Sequence, residues 1–404
     1  MEVLGRFLTD PGTSFFLFGP RGTGKTTWLE SKFRGALTVD LLLPDVARSL
    51  AARPERLVGM VEGDPERNVV VVDEIQKVPA LLDVVHSLME KHRDRRFVLT
   101  GSSARKIRRA GVDLLAGRAV VSTMHPFMAA ELGGRFALEG ALQTGLVPVV
   151  AGSSNPARVL SAYAGLYLRE EVQAEGLVRN LGDFSRFLEV MSFSHGSLLN
   201  LASVARECEV GRKAVEGYVS ILEDLLLGFR LPVFTRRASR AVSVHPKFFY
   251  FDAGVYRSLR PSGPLDRREE IEGAALEGLV VQHLRAWVAY RGDKSKLHFW
   301  RTRSGVEVDA VLYGDDGFWA VEIKNTTRPD SRALAGLKAF AQDYPESKRL
   351  LLHRGKDRAM TDGILCLPCE EFLATLHPAH ALDHGLTGSR AAARNGARRV
   401  DGTR

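Results

Sequence analysis

Gly19, Pro20, Arg21, Gly22, Thr23, Gly24, Lys25 and Thr26, followed by Thr27, have the spacing G-x-x-x-x-G-K-S/T. That spacing suits a triphosphate. Glycines let backbone N–H groups curl around phosphate oxygens, and a helix opening at the end of the loop adds a favourable dipole. Lys25 is placed to reach the β- and γ-phosphates of ATP, and the Thr26 hydroxyl to ligate Mg2+. Further on, Val69, Val70, Val71 and Val72 run into Asp73 and Glu74. A buried parallel strand that ends in acids delivers them to the sheet edge where the nucleotide sits. Asp73 then holds Mg2+ through water, and Glu74 polarises the attacking water, which argues for hydrolysis. A third apolar run, Phe97 to Thr100, leads into Gly101, Ser102 and Ser103. Of its polar residues, Ser102 is preferred over Thr100 as the side chain that senses the γ-phosphate; a plain turn is the alternative.

A second chemical pattern lies near the C-terminus. Glu307 and Asp309 alternate with Val306 and Val308, and after the turn Gly314, Asp315, Asp316, Gly317 come Glu322 and Lys324. Alternation puts each pair on one face of its strand. A hairpin of these arms brings Asp309, Glu322 and Lys324 together, with Val308, Val321 and Ile323 facing a core. Paired carboxylates suit a hard divalent cation, Mg2+ first, and the lysine orients water or stabilises charge on a scissile phosphate. The plain alternative is a cross-strand salt bridge on an exposed strand face. Cys366 and Cys369 have the C-x-x-C spacing, but no second pair completes a zinc site, so both are read as structural.

The elements that position these residues follow from periodicity. Apolar runs predict strands at 15–18, 36–40, 69–72, 97–100 and 120–123. Segments 25–32 and 80–92 carry helical spacing, as in Leu81, Val84, Val85 and Leu88. Alternating strand and helix predict a parallel α/β sheet. After a loop at Gly152 to Pro156 a long helix is expected over 157–174. Helices at 184–191, 201–208 and 212–226 then precede β-prone runs at 229–234 and 248–251. Helices followed by a two-stranded wing suggest a winged helix. The stripe Val215, Val219, Leu222 and Leu226 of the last of these helices faces a core. Beyond a Pro- and Gly-containing spacer, a helix at 273–289 opens a final unit with strands near 298–301, 306–312, 318–324 and 349–353.

Composition narrows the class. A chain of 404 residues with 45% hydrophobic and 26% charged residues is ordinary soluble protein. No stretch approaches the ~18 consecutive apolar residues of a membrane span. Asp10, Pro11 and Gly12 interrupt the N-terminus before a signal-like apolar run develops, and three cysteines give no even disulfide framework. Both point to the cytoplasm and away from membranes. The net charge of +8 permits a polyanionic partner. Its placement is more telling. Arg230, Arg236, Arg237, Arg240 and Lys247 occur with no acid among them, so this wing is the expected phosphate contact and DNA the expected partner. Other basic runs are Lys91 to Arg96, and Arg105 to Arg109. A multimeric ATPase also needs an arginine acting on the γ-phosphate from a neighbouring subunit. Arg118 is the candidate and Arg105 the next, with a surface arginine the bland alternative for either.

Several motifs together resemble the AAA_14 branch of the AAA+ ATPases, also described as archaeal-type or DUF4143-containing ATPases. They are Asp73 to Pro79, Leu99 to Ser103, Leu115 to Arg118 with His125, Pro126 and Phe127, and Thr144 to Pro148. The likeness runs in order from Phe15 to Leu373. It implies an AAA+ core, a winged-helix-like middle and a C-terminal nuclease-like fold. The Asp309, Glu322 and Lys324 pattern resembles the PD-(D/E)xK nucleases. The first helix of that fold usually supplies another acid, a place that Glu277 fits as a metal ligand. The aromatic or glutamine motifs of some members of that class are not evident after Lys324. The expected organisation is an ATPase domain at 1–155, a helical and winged-helix domain at 156–260, a nuclease-like domain at 268–376 and a disordered basic tail at 379–404. The expected assembly is a homo-oligomer, with a hexameric ring as one form. The expected function is a Mg2+-dependent ATPase that remodels DNA and carries a metal-dependent nuclease. Alternatives are an ATP-gated binding switch with a catalytically silent nuclease fold, and an ATPase that regulates a partner such as a toxin.

Overall fold

The computed structural model describes residues 4–102, 118–167, 172–173, 180–236, 243–292, 294–384 and 386. The N-terminal layer is a parallel sheet of β1 (Phe15–Phe18), β2 (Leu37–Asp40), β3 (Val69–Asp73), β4 (Arg96–Gly101) and β5 (Val120–Thr123), in the order β2-β3-β4-β1-β5. The strands alternate between two cores, as the strand period requires. Phe16, Phe18, Val70, Val72, Phe97 and Leu99 pack on one side. Phe15, Leu17, Val71 and Val98 pack on the other. Helix α1 (Lys25–Lys32) leaves the loop after β1, and the helix Leu81–Lys91 covers the sheet with Leu81, Leu82, Val85 and Leu88 buried. Two helices that periodicity does not predict, Pro44–Ala52 and Arg56–Glu62, follow β2.

Of the expected long helix at 157–174, residues 168–171 and 174 lie outside the described residues. An α-helical stretch, Pro156–Ala162, gives way to a π-helical turn at Tyr163–Tyr167. The middle unit continues with α2 (Leu181–Ser192), α3 (Leu201–Cys208) and α4 (Arg212–Asp224). Asn180 and Asn200 cap the first two through their side-chain oxygens. Val215, Val219 and Leu222 of α4 are buried, as their spacing predicts, and the helix ends before Leu226. Instead of two strands there are three: β6 (Ser197–Leu198), β7 (Gly228–Leu231) and β8 (Lys247–Tyr250), antiparallel, with β8 in the centre. Helix α5 (Ala253–Leu259) follows, capped by Asp252.

The C-terminal unit opens with the long helix α6 (Arg268–Arg291) and a mixed sheet. The sheet holds β9 (Lys296–Arg301), β10 (Glu307–Gly314), β11 (Gly317–Lys324), β12 (Lys348–His353), β13 (Ala359–Thr361) and β14 (Ile364–Pro368), in the order β13-β14-β12-β11-β10-β9. Helices α7 (Ala335–Asp343) and α8 (Cys369–Thr375) complete it. The hairpin turn joins Gly314 to Gly317, and Ala310 faces Val321. Its apolar residues divide. Val321 and Ile323 share a core with α6, but Val308 packs in the cluster of Leu337 and Phe340 from α7. The reason is a shift of register between Val308 and Val311 where β10 pairs with β9, which interrupts strict alternation. Cys366 and Cys369 are buried free thiols, in keeping with a structural role. Among the described residues no helix is long and apolar enough to cross a membrane.

Candidate functional site

The phosphate-type loop leaves β1 and enters α1. Gly22 and Gly24 have φ of 79° and 88°, a region that side chains disfavour. A Cβ on Gly19 would lie 2.7 Å from the Met124 carbonyl oxygen. The loop is tied from its carbonyl side. Arg6 donates to the Thr23 carbonyl at 2.7 Å, the Tyr163 hydroxyl to that of Arg21 at 2.9 Å, and the Val149 N–H to that of Gly22 at 3.2 Å. Arg6 is itself paired with a fully buried Glu131. Lys25 is buried and donates to the Gly19 carbonyl at 2.7 Å. Pro20 and Thr23 are buried too, while Arg21, Thr26 and Thr27 are exposed at the mouth.

Strand order sets β4 next to β1 and β3 beyond β4, with the C-terminal ends of these parallel strands on the side of this loop. Thr26 Oγ1 donates to Asp73 Oδ2 at 2.9 Å. The other carboxylate oxygen of Asp73 accepts from Thr100 Oγ1, which in turn accepts the Glu74 N–H at 3.0 Å. Glu74 has φ of 59°, left-handed backbone that is costly for a non-glycine residue and is held here by that bond. Gln76 donates through Nε2 to Glu74 and to Ser102 Oγ, the latter at 3.2 Å. The hydroxyl on the acid pair is therefore that of Thr100, and Ser102 acts through Gln76. Thr100 reaches Asp73 because the register sets Val72 beside Leu99 and so Asp73 beside Thr100, while Ser102, preferred in the sequence reading as the γ-phosphate sensor, lies beside Gln76. Thr26 and Asp73 are hard oxygen donors that converge, which fits Mg2+.

Arg118 lies at the surface, paired with Glu90 and 3.2 Å from His86 Nε2. Arg105, Ser103 and Leu115 to Gly117 lie outside the described residues. Among the described residues, several basic side chains of these runs are paired. Arg95 is buried against the Val61 carbonyl, Arg96 pairs with Asp10, and Lys91 with Glu62. In the wing, Arg230 makes a two-pronged bond to Glu223 at 2.8 and 2.7 Å. Arg237 and Arg240 lie outside the described residues. Arg236 remains exposed, its guanidinium 4.9 Å from the Tyr313 ring.

Lys247, expected to face a polyanion, is instead 1% exposed. Its ammonium donates to Glu277 Oε1 at 2.7 Å, pairs closely with Glu307, and lies 3.5 Å from Asp309. Burial alone would lower this lysine; the charges of Glu277, Asp309 and Glu307 outweigh it and hold the ammonium above the ordinary value. Burial pushes Glu277 up despite the opposing pull of Lys247. Glu322 pairs with Lys324 and is also pushed up, by burial and then by the charge of Asp309. The hairpin thus brings Asp309, Glu322 and Lys324 together, and α6 brings Glu277, with a second lysine among them. Among the described residues no group of three or more His, Cys, Asp or Glu is arranged to hold a metal ion. Sequence reasoning missed Arg6, Tyr163, Gln76, Lys247 and Glu307 as participants. Gln76 had a signal in its place two residues after Glu74; Lys247 had one in leading the apolar run Phe248 to Phe251.

Similarity to known proteins agrees with the first site. Residues 12–133 match the family described as AAA domain, AAA_14. Residues 136–266 and 272–372 match domains of unknown function, DUF8612 and DUF4143. The AAA and DUF4143 matches support an AAA-type ATPase family. Two relatives, uncharacterized proteins Mb2031c of Mycobacterium bovis and Rv2008c of Mycobacterium tuberculosis, are each 25% identical over 371 residues, spanning 89% of this chain and 80% of theirs. Among solved structures, AMPPCP-bound DnaA from Aquifex aeolicus is 13% identical with a TM-score of 0.23, over 52% of this chain and 81% of that one. Protein VC1899 from Vibrio cholerae is 10% identical with a TM-score of 0.22, over 90% and 96%. Neither structural likeness is close enough to carry an argument.

Proposed function

We propose that this chain is a Mg2+-dependent ATPase that couples ATP turnover to work on DNA. The observation that carries the first half is the convergence of the Thr26 and Thr100 hydroxyls on Asp73 at the end of β3, beside the glycine loop, with the Glu74 N–H held by Thr100. Lys25 supplies positive charge where the β- and γ-phosphates lie. Glu74, set in left-handed backbone and held by Gln76, takes the proton of the attacking water. Thr26 and Asp73 would hold Mg2+, which when bound would neutralise charge on the phosphate oxygens. Tight backing of the loop by Arg6 and Tyr163 keeps this constellation in place without reorganisation at the moment of reaction.

Support for DNA comes from Arg236, exposed beside Lys294, Lys296 and His298 around a surface cavity of about 620 Å³. A homo-oligomer, in which an arginine of one subunit completes the site of the next, belongs to the same proposal. The test is DNA binding across salt concentrations. Arg236→Ala should weaken binding to duplex and branched DNA alike and reduce the salt slope by about 1. Absence of binding to any DNA at low salt removes the DNA half and leaves the ATPase.

A second reading, an ATP-gated switch whose nuclease-like unit is catalytically silent, is favoured by one observation. Of the carboxylates expected to take a metal, Glu277 and Asp309 already share the Lys247 ammonium, and Glu322 pairs with Lys324.

A further inference from the structure

Lys247 opens β8, the central strand of the small sheet in the middle unit, yet its ammonium lies among acids of the C-terminal unit. Its side chain is 2% exposed. It reaches Glu277 from α6 at 2.7 Å, Glu307 from β10 in a close ion pair, and Asp309 from β10 at 3.5 Å. The Phe299 ring centroid lies 5.5 Å from the nitrogen.

Other acceptors of the cluster are met by protein donors as well, while Glu322 Oε2 is buried without a hydrogen-bond partner among the described residues. Glu307 Oε2 accepts from Arg301 at 2.6 Å, and Asp309 Oδ2 from the Ile323 N–H at 2.8 Å. Glu322 pairs with Lys324. Every carboxylate that the hairpin and α6 bring here therefore has a cationic partner within the protein.

A divalent ion bound by Asp309 and Glu277 needs their oxygens about 2.0–2.6 Å from its centre. Nζ fills that space. Two cations so close repel strongly where water does not screen them. Nor is the lysine's root free to withdraw, because Lys247 pairs with Leu198 on one side and Leu231 on the other within the sheet.

We infer that Lys247 is the resident cation of this cluster, taking the seat a divalent metal would need and latching the middle unit to the C-terminal sheet. With the lysine in place, Glu277, Glu307 and Asp309 serve structure and do not bind Mg2+ or Mn2+. The inference does not depend on the ATPase reading.

The test is Mn2+ titration without nucleotide, following free Mn2+ by electron paramagnetic resonance. The samples are the full chain, Asp309→Asn, Lys247→Met and the double variant. The unaltered chain and Asp309→Asn should bind Mn2+ alike. Lys247→Met should gain one site per chain, roughly tenfold or more tighter than any in the unaltered chain, and the double variant should lose it. A Mn2+ site in the unaltered chain that Asp309→Asn removes overturns the inference, as does a folded Lys247→Met that gains none. If Lys247→Met does not fold, the comparison of the unaltered chain with Asp309→Asn decides. Any of these failures leaves the ATPase reading intact, since no nucleotide is present.

Discussion

Asp73 accepts from two hydroxyls, and only one of them belongs to the glycine-loop motif. Thr100 both donates to Asp73 and accepts the Glu74 N–H, so Thr100→Val strips a buried carboxylate of a donor and a strained backbone of its anchor. The expected cost is about 1–3 kcal/mol in denaturant unfolding, with ATP turnover falling further than ATP affinity because Glu74 is misplaced. Thr100→Ser should restore most of both. Turnover unchanged in Thr100→Val would show that the bond is incidental. Arg6→Ala should cost about 3–5 kcal/mol in the same measurement, since it leaves Glu131 buried without its cation. At this scale Lys25, Thr26 and Asp73 were legible because motif spacing alone dictates their chemistry. The bond of Thr100 to Asp73 was not, because it depends on strand register. Arg6 and Tyr163 act through backbone carbonyls, which leave no pattern in side-chain types.

Among the elements, the packing of α5 against the loop at Thr144 to Leu146 depends on two glycines. A Cβ on Gly254 would lie 2.3 Å from the Thr144 carbonyl, and one on Gly145 would lie 1.9 Å from Asp252 Oδ1. Gly254→Ala should therefore lower stability by about 1–3 kcal/mol, read as a shifted denaturant midpoint at constant slope; an unmoved midpoint would contradict the close approach. Parallel strands with helices between them were readable from apolar runs, and β1 and β5 have the expected bounds. Helices Pro44–Ala52 and Arg56–Glu62 were not, being short and with few buried residues each. Strand β14 ends in Pro368, a residue that counts against a strand but is tolerated at its end. The bulge in β10 sent Val308 to a different core from Val321, an outcome that strict alternation cannot anticipate.

Across the whole molecule, one hydrophobic cluster runs from Leu8 and Phe15 through Phe184 and Leu222 to Leu279 and Phe372, so the three units share a core. Polar ties cross them too: the Ala129 N–H donates to His283 Nε2 at 2.9 Å, and Arg354 bonds Glu139 and Glu272. Burial lowers His195 to about 3 and His283 to about 4, from an ordinary value of 6.5. Above pH 6.5 both are neutral in either state. Below it the unfolded chain takes up two protons that the folded chain refuses, so stability should fall as pH drops towards 4. Each histidine contributes about 1.4 kcal/mol per pH unit, and His283→Gln should flatten the slope by one proton; an unchanged slope would contradict the assignment. The basic runs were legible as charge but not in their pairing, since the acids that neutralise Arg230, Arg96 and Lys247 come from other elements. The most direct test of the account is phosphate release from ATP with Mg2+ by the full chain, Lys25→Ala and Glu74→Gln. Turnover by the full chain should fall by about 100-fold or more in both variants, with Glu74→Gln still binding ATP. Turnover undiminished in Lys25→Ala, or no ATP binding by the folded chain, would contradict it.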